Sequence, residues 1–154
     1  MQYISKISWN RHASTPFNVK SFDRSHVVHF GSGSSISASS APEYLGKAEL
    51  PNPEELFTAS ISSCFMLTFL YWAALKGLII DDYSAEAIGT LAKNAEGKMA
   101  MTEVVIKPTI VFHENKNPEP AVLEELFKKA HENCFISSSV KTKVTVQSEQ
   151  TATA

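Results

Sequence analysis

From Leu56 to Leu75 the chain carries no charged residue, and the two ends of this run hold unusually clear helix signals. Asn52 is a favourable N-cap, Pro53 suits the first helical position, and Glu55 stands three residues after the cap in the capping-box position. Lys76-Gly77 supplies the opposite signal, a basic residue in the last turn followed by glycine. The spacing predicts one helix over 53–76, about 36 Å long at about 1.5 Å per residue. The run reaches the length of a membrane span. Five hydroxyl residues (Thr58, Ser60, Ser62, Ser63, Thr68), caps of the water-soluble kind and strand-like neighbours argue instead for a central helix covered by sheet or by a second subunit.

The rest of the chain has to supply that cover. With 154 residues, 44 % of them hydrophobic, it can bury one sizeable core, and one domain is expected over 1–148, followed by a polar tail at 149–154. A net charge of −2 and a pI near 6.2 provide no basic stripe for nucleic acid or an anionic membrane, so a small molecule or a protein is the expected partner. The N-terminal residues Met1 to Trp9 alternate apolar and polar, unlike a signal peptide, and a cytoplasmic protein is expected.

Alternation at Tyr3–Trp9 and apolar content at His26–Phe30 before Gly31-Ser32-Gly33-Ser34 read as an antiparallel meander, and 39–46 as a loop. After the long helix, Tyr83–Leu91 and Met99–Phe112 flank a turn at Asn94–Gly97 and form a hairpin, with Pro108 marking an edge or a bulge. Pro118-Glu119-Pro120 opens a second helix that ends near Cys134, and Val140–Val146 alternates as a last strand. Strands, helix, hairpin, helix, strand is an α+β order.

Two cysteines, Cys64 and Cys134, are too few for a secreted disulfide scaffold. By spacing alone each reads first as a small buried hydrophobe. A metal site is the other class they raise, because His131 and Cys134 stand three apart, but zinc needs three or four ligands and His12, His26, His29 and His113 are scattered, so no metal is expected. No G-x-S-x-G signature and no glycine-rich phosphate loop is present.

Taken together, Asn52-Pro53-Glu54-Glu55-Leu56-Phe57 followed by Cys64, then Ala130-His131-Glu132-Asn133-Cys134, then Ser139–Val144, resemble the OsmC/Ohr family of thiol-dependent hydroperoxide reductases over nearly the whole chain. Phe22-Asp23-Arg24-Ser25-His26 is similar to the arginine-histidine segment of the OsmC-like branch. After Cys134, where the hydroperoxide-resistance branch commonly carries proline, this chain has Phe135. The resemblance implies an OsmC-like α+β fold of antiparallel sheets around a long central helix, assembled as an intertwined homodimer with its site at the interface. It implies a peroxidase without a cofactor, in which Cys64 attacks a hydroperoxide, Cys134 resolves the product as a disulfide, and an external dithiol, lipoyl-type dithiols included, resets the enzyme. Arg24 and Glu54 match the family's arginine and glutamate, with Arg11 the competitor for the first. The runner-up reading keeps the fold and the dimer and only binds a ligand.

The chemistry explains why such residues are needed together. A free thiol of pKa about 8.5 is only a few per cent ionised at neutral pH, and burial opposes ionisation further. Cys64 lies well beyond the first turn, where the helix dipole has faded, so a nearby cation is required. A guanidinium about 4 Å away supplies on the order of 4 kcal/mol at an effective dielectric near 20. A glutamate beside a thiolate opposes it, so Glu54 makes sense as a clamp on the arginine. Glu54 and Cys64 are about 15 Å apart along one straight helix, so either Arg24 bridges much of that distance or, the arrangement favoured here, the glutamate comes from the partner subunit. Phe57, Phe65 and Leu67 are the expected walls of a pocket for the organic part of the hydroperoxide, compatibly with a core role.

Overall fold

The computed structural model describes residues 1–147; the polar tail at 149–154 lies outside them. The chain divides into two compact units, Met1–Leu56 and Phe57 onward, with the division inside the first turn of the long helix.

The first unit holds an antiparallel meander of β1 (Ser5–Ser8), β2 (His26–Phe30) and β3 (Ser35–Ala38), joined in that order. The tight turn between β2 and β3 uses Gly33 at φ +90°, a conformation that favours glycine. From β3 the chain passes through a 3₁₀ turn at Pro42–Tyr44. A side chain at Gly46 would place its Cβ 1.6 Å from the Ser40 carbonyl oxygen, so only glycine lets the loop close on itself here.

The long helix α1 (Pro53–Leu75) begins and ends as its sequence dictates. Asn52 Oδ1 accepts from the Glu55 amide at 2.9 Å, and the Asn52 amide donates to the Glu55 carboxylate at 3.1 Å, which is the reciprocal capping box. At the other end Gly77, at φ +72°, donates to the Ala74 carbonyl, and the Leu78 amide reaches back to Ala73, a Schellman closure.

The second unit contains β4 (Ile80–Lys93), β5 (Met99–Phe112), α2 (Pro120–Asn133) and β6 (Lys143–Val146), with sheet order β4-β5-β6. The hairpin β4-β5 is antiparallel, but β6 pairs parallel to β5, contrary to the all-antiparallel expectation. A parallel neighbour requires a crossover, and α2 provides it. Pro108 is buried in the central strand opposite Ala85 without a bulge. It is tolerated because β6 pairs only with Glu103–Ile106, leaving β5 a local edge at residue 108.

One stripe of α1, Ile61, Phe65, Phe69 and Ala73 at every fourth position, is fully buried and packs with Val104, Ile106, Phe112, Leu126 and Ala130 into one core. The helix is long and apolar enough to cross a membrane by length and composition, yet this stripe is committed to protein. Among the described residues the opposite face is left open: Leu67, Tyr71 and Leu75 are each 60 % exposed.

Tyr83 borders this core against Phe69, and its hydroxyl is buried without a hydrogen-bond partner among the described residues. Burial pushes its pKa from 10.0 up to about 12. The folded state thus favours the neutral phenol. The stability tied to that form is fully present below about pH 10 and is lost as pH rises through 12. Tyr83→Phe is expected to leave stability at neutral pH unchanged or raised by up to about 1 kcal/mol. It should also flatten the decline between pH 10 and 12 in urea midpoints, and parallel declines in both proteins would contradict this.

Candidate functional site: two thiols beside an apolar cavity

Cys64 sits on α1 one position before core residue Phe65, about 100° around the helix from it, and is partly exposed. Cys134 ends α2: its backbone leaves the helix at ψ 111°, and its side chain is fully buried. The segment after it folds into a 3₁₀ turn at Ser137–Ser139, held by the Ser138 amide on the Cys134 carbonyl at 3.0 Å and the Ser139 hydroxyl on the Phe135 carbonyl at 2.7 Å. This turn folds the chain back so that Cys134 neighbours Cys64, near enough for the two thiols to influence each other, and Phe135 and Ile136 after Cys134 border the same cavity as Cys64.

The Cys134 sulfur also accepts from the Ser137 hydroxyl at 3.1 Å and from the Ser137 amide at 3.4 Å. Burial and the neighbouring Cys64 push the Cys134 thiol pKa up, and the two Ser137 donors oppose that rise.

Cys64 opens on a cavity of about 720 Å³. Its apolar walls are Leu67, Tyr71, Trp72, Phe135 and Ile136, with Ser60, Ser63, Thr68 and Asn133 adding uncharged polar groups. No charged side chain lines it among the described residues. Of the three residues expected around the thiol, Leu67 is in this wall. Phe65 is not: it lies in the core, 6.5 Å from the Phe69 ring and 6.1 Å from Phe127. Phe57 likewise packs against the core. The correction follows from helix geometry, because neighbours in sequence point about 100° apart while positions three, four and seven away share a face. Cys64, Leu67, Thr68 and Tyr71 obey that spacing, which is the signal for the wall residues that closeness in sequence hides.

The two candidate arginines are both tied to local carbonyls in the first unit. Arg24 donates to the Phe22 carbonyl at 2.9 Å and the Val19 carbonyl at 2.7 Å, with its guanidinium 4.0 Å over the Phe22 ring. It lines a separate cavity of about 440 Å³ with Trp9, Phe17, Phe22 and His26. Arg11 holds an exposed turn through the Ala13 and Thr15 carbonyls at 3.3 and 3.1 Å. Glu54 is partly exposed in the first turn of α1, where Glu55 performs the capping. The structure thus brings Cys64 and Cys134 together in the second unit, and holds Arg24 and Glu54 in the first. His131 and Cys134 gain no third donor: among the described residues no three His, Cys, Asp or Glu side chains gather as a metal-ligand set.

Residues 46–149 match the sequence profile of a family described as OsmC-like protein. An uncharacterized protein, YmaD of Bacillus subtilis, is 26 % identical over 129 residues, covering 82 % of this chain and 85 % of that one. Among solved structures, an OsmC-like protein of unknown function from Vibrio cholerae is 37 % identical and superposes with a TM-score of 0.92, covering 97 % of this chain and 99 % of its own. The organic hydroperoxide resistance protein OhrB of Bacillus subtilis shares the fold at 19 % identity and a TM-score of 0.66, covering 95 % of this chain and 98 % of its own.

Proposed function

The chain belongs to the OsmC-like protein family, and from that premise we propose that it is a thiol-dependent peroxidase that reduces organic hydroperoxides, and hydrogen peroxide less well. The observation that carries the reading is a partly exposed Cys64, open to an apolar cavity, with a buried Cys134 as its neighbour. Cys64 as a thiolate attacks the distal peroxide oxygen and becomes a sulfenic acid, and Cys134 condenses with it to a disulfide. An external dithiol, lipoyl-type dithiols among them, restores both thiols. The apolar wall of Leu67, Tyr71, Trp72, Phe135 and Ile136 favours a substrate with a hydrocarbon part.

The cavity lining carries no cation, so the charge that favours the thiolate has to come from elsewhere. We assign it to Arg24, whose guanidinium is fixed by two carbonyls and a ring, and we assign Glu54 to hold that guanidinium in place. The uncovered apolar face of α1 supports a homodimer, in which Glu54 of the partner subunit serves the site. We place the protein in the cytoplasm, a reducing setting in which a pair of cysteines is more often catalytic than structural. A ligand-binding dimer without chemistry has no use for a buried second thiol against the first, which favours the peroxidase.

The test is turnover of an alkyl hydroperoxide against hydrogen peroxide with several dithiols, in wild type and Arg24→Ala. Wild type is expected to prefer the alkyl substrate. Arg24→Ala should slow reduction at neutral pH by roughly a hundredfold and recover partly at alkaline pH, where thiolate forms unaided. Absence of turnover with every dithiol sinks the enzymatic reading, and the same loss in Arg11→Ala instead reassigns the cation.

A further inference from the structure

The two sulfurs of the site differ in ways that the peroxidase reaction by itself does not require. Cys64 is partly exposed and opens on the cavity, whereas Cys134 is wholly buried and accepts two hydrogen bonds from one residue, Ser137. The amide donor is fixed by the 3₁₀ turn, and the hydroxyl adds a second donor at 3.1 Å. Neither donor is needed to hold the turn, which has its own bonds from Ser138 and Ser139. Both donate toward sulfur, and a hydrogen bond to sulfur is worth most when the sulfur is negative.

We propose that Ser137 makes Cys134 the leaving sulfur when the disulfide is reduced, so that the incoming dithiol attacks Cys64 and the mixed disulfide forms there. This rests on the peroxidase reading of the site. In the oxidising half, the Cys64 thiolate bonds to the distal peroxide oxygen and the O–O bond breaks. The alkoxide takes a proton, and the sulfur loses two electrons. Cys134 then gives up its proton and bonds to the Cys64 sulfur, and the hydroxide released from the sulfenic acid leaves with that proton as water. In the reducing half, one thiolate of the dithiol bonds to the Cys64 sulfur, and the electron pair of the broken S–S bond stays on Cys134. The second thiol of the reagent then displaces the Cys64 thiolate and the reagent becomes a disulfide.

Two independent features set this direction. Attack needs access along the S–S axis, which the cavity gives to Cys64 and burial denies to Cys134. Exchange is also faster when the departing thiolate is better stabilised, and Ser137 donates to the Cys134 sulfur. The titratable group that faces Cys134 is Cys64 itself, neutralised once the mixed disulfide has formed, so Ser137 carries the stabilisation of the departing charge. Ser137 does not stand out in the sequence because it is one of three consecutive serines, Ser137-Ser138-Ser139, leading into a strand.

The experiment forms the disulfide with diamide, not peroxide. Excess glutathione is then added for a short time, the mixture is quenched in acid, and the adduct is mapped by peptide mass spectrometry. Wild type is expected to carry glutathione on Cys64 with at least roughly tenfold preference. Ser137→Ala should slow the exchange by roughly tenfold at neutral pH. In the Cys64→Ser background it should also shift the thiolate absorbance titration of Cys134 to higher pH, and Ser137→Thr should restore both. A predominant adduct on Cys134, no disulfide with diamide, or unchanged exchange and titration in a folded Ser137→Ala chain overturns the proposal. Because diamide replaces the hydroperoxide, a protein with the expected adduct but no peroxide turnover refutes the peroxidase reading alone.

Discussion

Cys64→Ser is expected to abolish hydroperoxide reduction, and Cys134→Ser to consume one equivalent of hydroperoxide per chain and then stall. Serine keeps the shape of either site but lacks a sulfur that can accept oxygen or form a disulfide. The asymmetry follows from position. Cys64 opens on the cavity proposed to take the substrate, while Cys134 is buried beside it. Stopped-flow consumption of an alkyl hydroperoxide checks this directly. A burst of one equivalent in Cys134→Ser beside a flat trace in Cys64→Ser is the expected pair, and the reverse pair exchanges the two roles.

The second large effect falls on the fold. Phe69→Ala should cost about 3–5 kcal/mol, because it removes a buried ring and leaves a cavity that its neighbours close only in part. Those neighbours are the rings of Phe65, Tyr83 and Phe127, with centroids 6.5, 5.9 and 5.3 Å away. Urea unfolding should show the loss as a lowered midpoint with an unchanged slope. A cost below about 1 kcal/mol would mean that this face of α1 is not the core face.

These expectations depend on knowing which face of α1 is buried, and that was the part of the fold the sequence held least clearly. The ends of the helix were legible because caps are local: Asn52 with Glu55, and Gly77 after Lys76, act through neighbours in the chain. The hairpin turn at Asn94–Gly97 was legible for the same reason, with the Asn94 side chain accepting from the Glu96 and Lys98 amides. The face was not, because a helix apolar on all sides has no periodicity to read. Only tertiary packing assigns Phe65 inward and Leu67 outward. The parallel placement of β6 was hidden likewise, since alternation at Val140–Val146 fixes the two faces of a strand but not its direction.

The site was legible in the same uneven way. Cys64 and Cys134 stood out through a resemblance that spans nearly the whole chain, and the turn after Cys134 leaves the two as neighbours. Spacing alone left each a small hydrophobe. Arg24 and Arg11 both precede or follow turns, and nothing local separates them. In the structure one lines an apolar cavity and the other braces an exposed turn. Ser137 was invisible because its role lies in two donors aimed at one sulfur, a geometry with no sequence signature.

The central claim is that Cys64 and Cys134 form a redox pair driven by hydroperoxide. Its most direct test is peptide mass spectrometry of the reduced protein after one equivalent of an alkyl hydroperoxide. The account predicts one intrachain disulfide joining Cys64 to Cys134 and the loss of both free thiols. Both thiols surviving, or oxidation stopping at sulfinic acid on Cys64 while Cys134 stays free, would contradict it.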